Sequence, residues 1–387
     1  MTEPSATHAN PYLVELSPAV RLFVASFLVL FLELAALRWV SAHVLYLGYF
    51  ANLALMGCFL GISVGMFAAR NQRLNLVTSF PIALVVLSAF VLLFNAQMVI
   101  DAPGEVYFTS SRTLTQLPMW VVLPGVFVLL AMTHVGPAQE MARLLSFGKP
   151  LRAYSLNILG SLAGILLFYF CSLLSLGAAV WFAVAAALYV LVARSRWKIG
   201  LLVVAMLPAA FCAAVDVDAI WSPYYRIEVN TEREATETEP PLYRLSVNNI
   251  THQFISHPKE REEFYEFPYQ VLLRYQEAAP EVLLIGGGVG TDTSFALGYG
   301  VKSIDVVEID PVIAAIGREL NPVKPYQDPR VNLTIQDGRV FMKNCEKKYD
   351  AVLFGLPDSL GLVSPSASVR LESFLFTLES FADARKL

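Results

Sequence analysis

Apolar runs of about 20 residues recur through the first half of the chain, over 20–40, 47–69, 79–100, 119–138, 154–175 and 177–193, with a shorter one over 199–215. The first six predict membrane-crossing helices, since the hydrocarbon core needs about 20 consecutive apolar residues. The seventh has 17 residues and contains Pro208, so it is expected to be re-entrant or interfacial. From Ile220 onward the period changes. Tyr225–Thr231 and Leu242–Ser256 alternate apolar and polar positions around a Glu-rich turn, which predicts a small β-hairpin layer. After Glu281 the order becomes strand, glycine loop, helix, strand, helix, strand. The strands are Glu281–Ile285, Ser303–Val307, Val331–Ile335 and Ala351–Leu356. Repeated βα units of this kind predict a doubly wound parallel sheet that binds ligand beyond the carboxyl ends of its strands.

This pattern divides the chain into an N-terminal tail (1–19), a multi-pass helical domain (20–215), a β-hairpin region (216–275) and a Rossmann-like domain (276–387). Composition sharpens the division. The 387 residues are 56% hydrophobic and 16% charged, with a mean hydropathy of +0.55; about a quarter charged is usual for a soluble domain. Of 28 Lys/Arg and 32 Asp/Glu, 11 and six fall in residues 1–215, leaving 17 and 26 for the rest. A wholly soluble enzyme and a pure transporter are both excluded. The acidic second half disfavours nucleic acid, whose phosphates need a basic surface, and suits a cationic partner. The four cysteines have no metal-site or disulfide spacing, so no metal is expected.

Within the apolar half, Gly57, Gly61 and Gly65, and again Gly160 and Gly164, place small residues on one helix face, where neighbouring backbones can approach closely. Glu33, Arg38, His134 and Asn157 interrupt the runs. Such groups face a partner or a cavity: Glu33 has the options of holding a cation, pairing with Arg38 or joining an ion pair between helices. Nine Lys/Arg lie at the N-terminus and in the loops around 70–73, 143–152 and 194–198, against Arg38 and Arg112 on the other side. This bias puts the N-terminus in the cytoplasm. Six crossings then keep the soluble domain in the cytoplasm as well, on a cell inner-membrane protein, whereas a seventh would put it outside.

In the second half each loop has a chemical task. Gly286-Gly287-Gly288-Val289-Gly290 follows the first strand and lets the backbone pass close to a ligand. Glu308, about 20 residues on, can accept both hydroxyl protons of a ribose. Asp337, at the end of the third strand, can accept from an adenine amino group. Three such features, each at its own strand end, point to an adenosine-type ligand.

The runs Val282-Leu-Leu-Ile-Gly-Gly-Gly-Val-Gly, Val307-Glu-Ile-Asp-Pro, Asp328-Pro-Arg-Val and Gln336-Asp-Gly-Arg together resemble the spermidine/spermine synthase family of polyamine aminopropyltransferases. Ser222-Pro-Tyr-Tyr-Arg-Ile and Leu245–Gln253 resemble its N-terminal strands, and Phe264-Tyr265-Glu266 its substrate motif. The likeness covers about 220–387, and the fused helical half is similar to the family's multi-span bacterial branch. The resemblance implies a class I methyltransferase-type fold. It also implies transfer of an aminopropyl group from decarboxylated S-adenosylmethionine to an amine such as putrescine, releasing methylthioadenosine. By the same likeness Gly286, Gly288, Gly290, Glu308, Asp310, Asp337, Gly338 and Gln253 would hold the nucleoside. Tyr265, Glu266 and Asp358 would line the amine pocket, with Asp358 carrying the catalysis.

The chain departs from the family at three places. Val289 stands where the glycine loop usually continues with Asp, and Asp292 is the nearby substitute for the amine. Gly355 stands where the fourth strand usually carries its base, so restoring an acid with Gly355→Asp is expected to raise transfer. The chain also stops before the strands that complete this sheet, so it reads as a fragment. Two other readings stay open: a non-catalytic or transport-coupled protein sensing a nucleoside, and an S-adenosylmethionine-dependent methyltransferase. The expected partners are a small cationic amine and the lipid bilayer; a homo-oligomer is compatible with the sequence.

Overall fold

Helix α1 (Pro18–His43) starts where Ser17 caps the backbone N–H of Val20 and Pro18 occupies the first turn, where a missing N–H costs nothing. In this computed structural model, which describes residues 16–44, 47, 51–71, 73–93, 119–146, 148–193, 198–236, 239–257, 265–275, 278–355 and 375–387, α1 is apolar on all sides and buried along most of its length. Such a helix belongs at the centre of a bundle. Around it lie α2 (Ala51–Ala68), α3 (Phe80–Leu93), α4 (Met119–Leu145), α5 (Pro150–Leu173), α6 (Ala178–Val192) and α7 (Lys198–Val215). Among the described residues, three helices are long and apolar enough to cross a membrane: Pro18–His43, Trp120–Leu145 and Pro150–Leu173. The other four described helices are apolar but shorter.

Both glycine stripes are contact faces. A Cβ on Gly61 or Gly65 would run into the Ala131 or Val135 carbonyl of α4, and one on Gly160 or Gly164 into the Phe23 or Phe27 carbonyl of α1. Small residues are therefore what brings α2 onto α4 and α5 onto α1. Segment 199–215 lies in one continuous helix, α7, packed along α6 and α3, because Ala205, Ala209 and Cys212 form a buried stripe at helical spacing. The Glu33–Arg38 pair does not form: Arg38 donates instead to Ser172 Oγ at 2.6 Å and to the Ser222 carbonyl. Five helical residues turn the two side chains well apart.

Beyond Val215 comes an antiparallel sheet in chain order, β1 (Ala219–Trp221), β2 (Arg226–Arg233), β3 (Leu242–Val247) and β4 (Ile250–Ile255). The expected single strand Leu242–Ser256 is two strands, because Asn248 and Asn249 turn between them with φ of 51° and 64°. Asparagine tolerates this left-handed pair, which matches the twist of a hairpin. Trp221 locks the sheet to the bundle, its ring 4.7 Å from that of Trp181 in an edge contact.

The second sheet is parallel. After α8 (Phe267–Tyr275) come β5 (Glu281–Ile285), α9 (Thr291–Gly298), β6 (Ser303–Glu308), α10 (Pro311–Leu320), β7 (Val331–Ile335), α11 (Gly338–Asn344), β8 (Ala351–Phe354) and α12 (Leu378–Ala384). The strand order β7-β6-β5-β8 is that of the doubly wound fold, with its switch point between β5 and β8. Alternation along the strands feeds two cores. Val282, Leu284, Ile304 and Val306 pack on Tyr269 and Phe295; Leu283, Ile285 and Val307 pack on Met342 and α12. Full burial of each such side chain contributes roughly 1.5–3 kcal/mol. Two-sided burial is why these strands read as continuous apolar runs.

Candidate functional site

The carboxyl ends of the parallel strands open on a cavity lined among others by Gly286, Gly288, Glu308, Asp337, Gly338, Gly355 and Gln253. Glu308, the last residue of β6, is 6% exposed. Its Oε2 accepts from the Gly288 N–H at 2.7 Å and its Oε1 from the Asp310 N–H at 2.9 Å. Each oxygen keeps a further lone pair for a ribose hydroxyl. Burial pushes this carboxyl above the usual range, against the pull of those N–H groups.

The glycine loop is shaped from both sides. Gly288 has φ +53°, and a Cβ there would collide with the Gln253 amide. Gln253 Oε1 in turn accepts from the Val289 N–H at 2.9 Å, so β4 fixes the loop from above. Gly290, at φ +83°, starts α9. Val289 is fully buried among Ile227, Leu245, Ile255, Ile313 and Ile316, which explains an apolar residue at that position. Tyr326 pins the loop from below by donating to the Gly288 carbonyl at 2.7 Å.

Asp337 caps α11 by accepting from the Val340 N–H at 2.8 Å and also lines the cavity. Gly338 must lack a side chain, since a Cβ would lie 2.5 Å from Ile285 Cγ2. Asp310 plays a different part from the expected ligand contact. Fully buried, it caps α10 through the N–H groups of Val312 at 2.8 Å and Ile313 at 3.2 Å, and accepts the Ser222 hydroxyl at 2.5 Å. It holds Glu308 in place rather than lining the cavity. Burial raises its carboxyl, opposed by the Ser222 hydroxyl and the capping N–H groups.

The amine-pocket residues fare less well. Tyr265 stacks on Phe295, with rings 5.4 Å apart. Glu266 accepts from the Tyr299 hydroxyl at 2.8 Å and from Gln270 Nε2 at 3.2 Å. Tyr299 follows the far end of α9, eight residues and about 12 Å of helix from the glycine loop. Neither Tyr265 nor Glu266 lines the cavity. Asp358 lies outside the described residues. Asp292 is not among the cavity-lining residues either; it stands in the first turn of α9 beside Gly355, which is. Sequence reasoning missed Tyr224, Tyr225 and His252, which also line the cavity. The adjacent Tyr-Tyr pair after Ser222-Pro223 was the available signal, read only as part of a strand.

The helical half reaches this site through Arg38. Its guanidinium lies over the rings of Trp181 and Trp221, at 5.0 and 5.5 Å, and donates to the Ser222 carbonyl; its charge faces Asp310. A chain of contacts thus runs from α1 through Ser222 and Asp310 to Glu308. No group of His, Cys, Asp and Glu suited to a metal occurs among the described residues.

Residues 269–385 match the family model described as spermine/spermidine synthase domain. The likeness to that family is carried by this domain, less than a third of the chain. A polyamine aminopropyltransferase of Korarchaeum cryptofilum is 36% identical over 114 residues, 29% of this chain and 33% of the relative. One from Pectobacterium atrosepticum is 36% identical over 108 residues, 26% of this chain and 38% of the relative. A putrescine N-methyltransferase 2 of Nicotiana attenuata is 38% identical over 85 residues, 21% of this chain and 23% of the relative. The chain thus matches no more than about two-fifths of the length of these relatives. The crystal structure of spermidine synthase from Thermotoga maritima is 17% identical, with a TM-score of 0.30 over 40% of this chain and 53% of that one. The fold follows from the sheet order itself.

The α1 contact carries a prediction. Arg38→Ala removes a charged donor three contacts from Glu308 and is expected to weaken methylthioadenosine binding two- to ten-fold, about 0.5–1.5 kcal/mol. Arg38→Lys keeps the charge without the forked donor geometry and should recover only part of it. Calorimetric titration of the full chain checks this; unchanged affinity in both variants would make the contact purely architectural.

Proposed function

We propose that this protein transfers an aminopropyl group from decarboxylated S-adenosylmethionine to a small amine. The observation that carries the reading is Glu308, buried and oriented by two backbone N–H groups at the mouth of a family-matched parallel sheet, with Asp337 across the cavity. That arrangement suits a nucleoside, whose ribose diol meets Glu308 and whose base meets Asp337. The reaction is a displacement at a carbon beside a sulfonium. The protein has to align the nucleophile and strip a proton from an amine whose free pKa is about 10, judged by lysine. Methyl transfer from S-adenosylmethionine to a diamine is the second reading, favoured by the likeness to the Nicotiana putrescine N-methyltransferases. Mass spectrometry of products from putrescine with either donor separates the two. An aminopropylated product from the decarboxylated donor supports the first reading, and a methylated one from S-adenosylmethionine replaces it.

The helical half is, in this reading, a membrane anchor with the α/β domain at the end opposite its Lys/Arg-rich turns. Arg21, at the start of α1, bonds Glu140 near the end of α4 and the Val192 carbonyl at the end of α6. Arg143 reaches the Asn71 and Leu74 carbonyls between α2 and α3. At the other end of α1, His43 lies 3.6 Å from Asp216, where the second half begins. If all seven helices cross, the Lys/Arg bias puts the α/β domain outside the cytoplasm, in contrast to the six-crossing expectation. A cysteine at exposed Glu234, in a Cys345→Ser background, is then expected to react with an impermeant reagent on intact cells. Labelling only after permeabilisation would restore an even number of crossings and a cytoplasmic site. This test is separate from the reaction, because an outer site would need its nucleoside exported.

A further inference from the structure

Gly355, the residue after β8, is at the switch point of the sheet and lines the cavity. A Cβ there would lie 2.6 Å from the Gly286 carbonyl oxygen and 3.3 Å from Leu284 Cδ1, so no side chain can project from this strand end without moving backbone. The same point lies 3.4 Å from Asp292 Oδ2. A carboxylate does stand beside this strand end, and it arrives from the first βα loop rather than from the fourth strand.

We propose that Asp292 is the carboxylate that receives the acceptor amine and removes its proton. The proposal rests on the transfer reading above and assigns the base within that site. Three features of the surroundings fit the role. Asp292 lies in the first turn of α9, where the helix dipole favours a negative charge. Its backbone carbonyl accepts from the Tyr269 hydroxyl at 3.2 Å, which holds the turn in position. The phenols of Tyr269 and Tyr326 are held above their usual range, first by burial and then by neighbouring carboxylates that include Asp292, so both stay as O–H donors.

The step balances as follows. The incoming ammonium gives one proton to an Asp292 oxygen and becomes a free amine. Its nitrogen lone pair attacks the propyl carbon bonded to the sulfonium; the C–N bond forms as the C–S bond breaks, and that electron pair stays on sulfur as a neutral thioether. The product leaves as a secondary ammonium, and Asp292 passes its proton to water.

The experiment uses the full chain in detergent, with putrescine and the decarboxylated donor as probes. Asp292→Asn preserves shape and removes the charge. It is expected to lower transfer at least 100-fold, the low end of general-base contributions of about 10²–10⁴. Methylthioadenosine affinity should stay within two-fold, and the residual rate should climb with pH as free amine accumulates. Asp292→Glu should recover part of the rate. An Asp292→Asn enzyme with the parent's rate and pH profile overturns the assignment and leaves the transfer reading standing. Loss of methylthioadenosine affinity in step with the rate also overturns it, since the residue then supports the nucleoside or the fold. A parent that binds methylthioadenosine yet makes no aminopropylated product removes the transfer reading itself, and this role with it.

Discussion

Replacing Glu308 with alanine is expected to weaken methylthioadenosine binding by one to two orders of magnitude. Hydrogen bonds to a charged group contribute roughly 1.5–3 kcal/mol each, and this carboxylate is aimed before the ligand arrives by the Gly288 and Asp310 N–H groups. Its removal also leaves those two buried donors without their acceptor. Glu308→Gln keeps one acceptor oxygen and should lose less. Asp337→Ala should weaken binding too, and at the same time cost about 1 kcal/mol of stability through the lost α11 cap. The pH dependence has a definite sign. Ribose hydroxyls bind the ionised form of Glu308, whose carboxyl burial holds above the ordinary range. Affinity is therefore complete above that raised value and falls as the pH drops through it, where an ordinary glutamate would still be charged. Calorimetry across pH on the three variants reads all of this. Unchanged affinity in both Glu308→Ala and Asp337→Ala would mean that the nucleoside binds elsewhere.

The second large effect is at Gly355, where tertiary structure reverses the expectation drawn from sequence. Motif comparison treats Gly355→Asp as restoring a missing acid and so raising transfer. In the folded chain the new Cβ would press to 2.6 Å on the Gly286 carbonyl, a backbone atom of the nucleoside loop. Overpacking of this kind costs typically about 1–3 kcal/mol. The added carboxylate would also sit against that of Asp292, and like charges at close range resist ionisation together. Gly355→Asp is expected to lower the melting temperature by several degrees, at about 2–4 °C per kcal/mol for a domain of this size. It should also weaken methylthioadenosine binding and reduce transfer. Gly355→Ala isolates the steric part, and should show the thermal loss without the charge effect. A Gly355→Asp protein with parental stability and faster turnover would show that the Gly286 loop yields, and would return the base to the fourth strand.

What could be read from sequence alone was whatever depends on local spacing. Apolar runs marked the seven bundle helices found among the described residues, and the change of period near Ile220 marked the end of the bundle. The glycine loop, Glu308 and Asp337 were legible because a parallel sheet delivers each strand end to the same edge, so position along the chain implies position in the site. The Asn248-Asn249 turn was also local and was passed over, since the alternation runs through it unbroken. Long-range contacts decided the rest. Glu266 looked like an amine ligand by motif, yet Tyr299, 33 residues on, holds it elsewhere. Asp310 looked like a ligand of the nucleoside until Ser222, 88 residues earlier, was found to share it with the α10 cap. Arg38 gained its meaning only when β1 came to rest on the bundle, across 184 residues of chain. Gly355 and Asp292 meet across a switch point between two strands that are neighbours in the sheet but not in the chain. Spacing rules describe the period of one element. They carry no information about which second element will be packed against it, and that packing determines which carboxylate stands beside a given strand end.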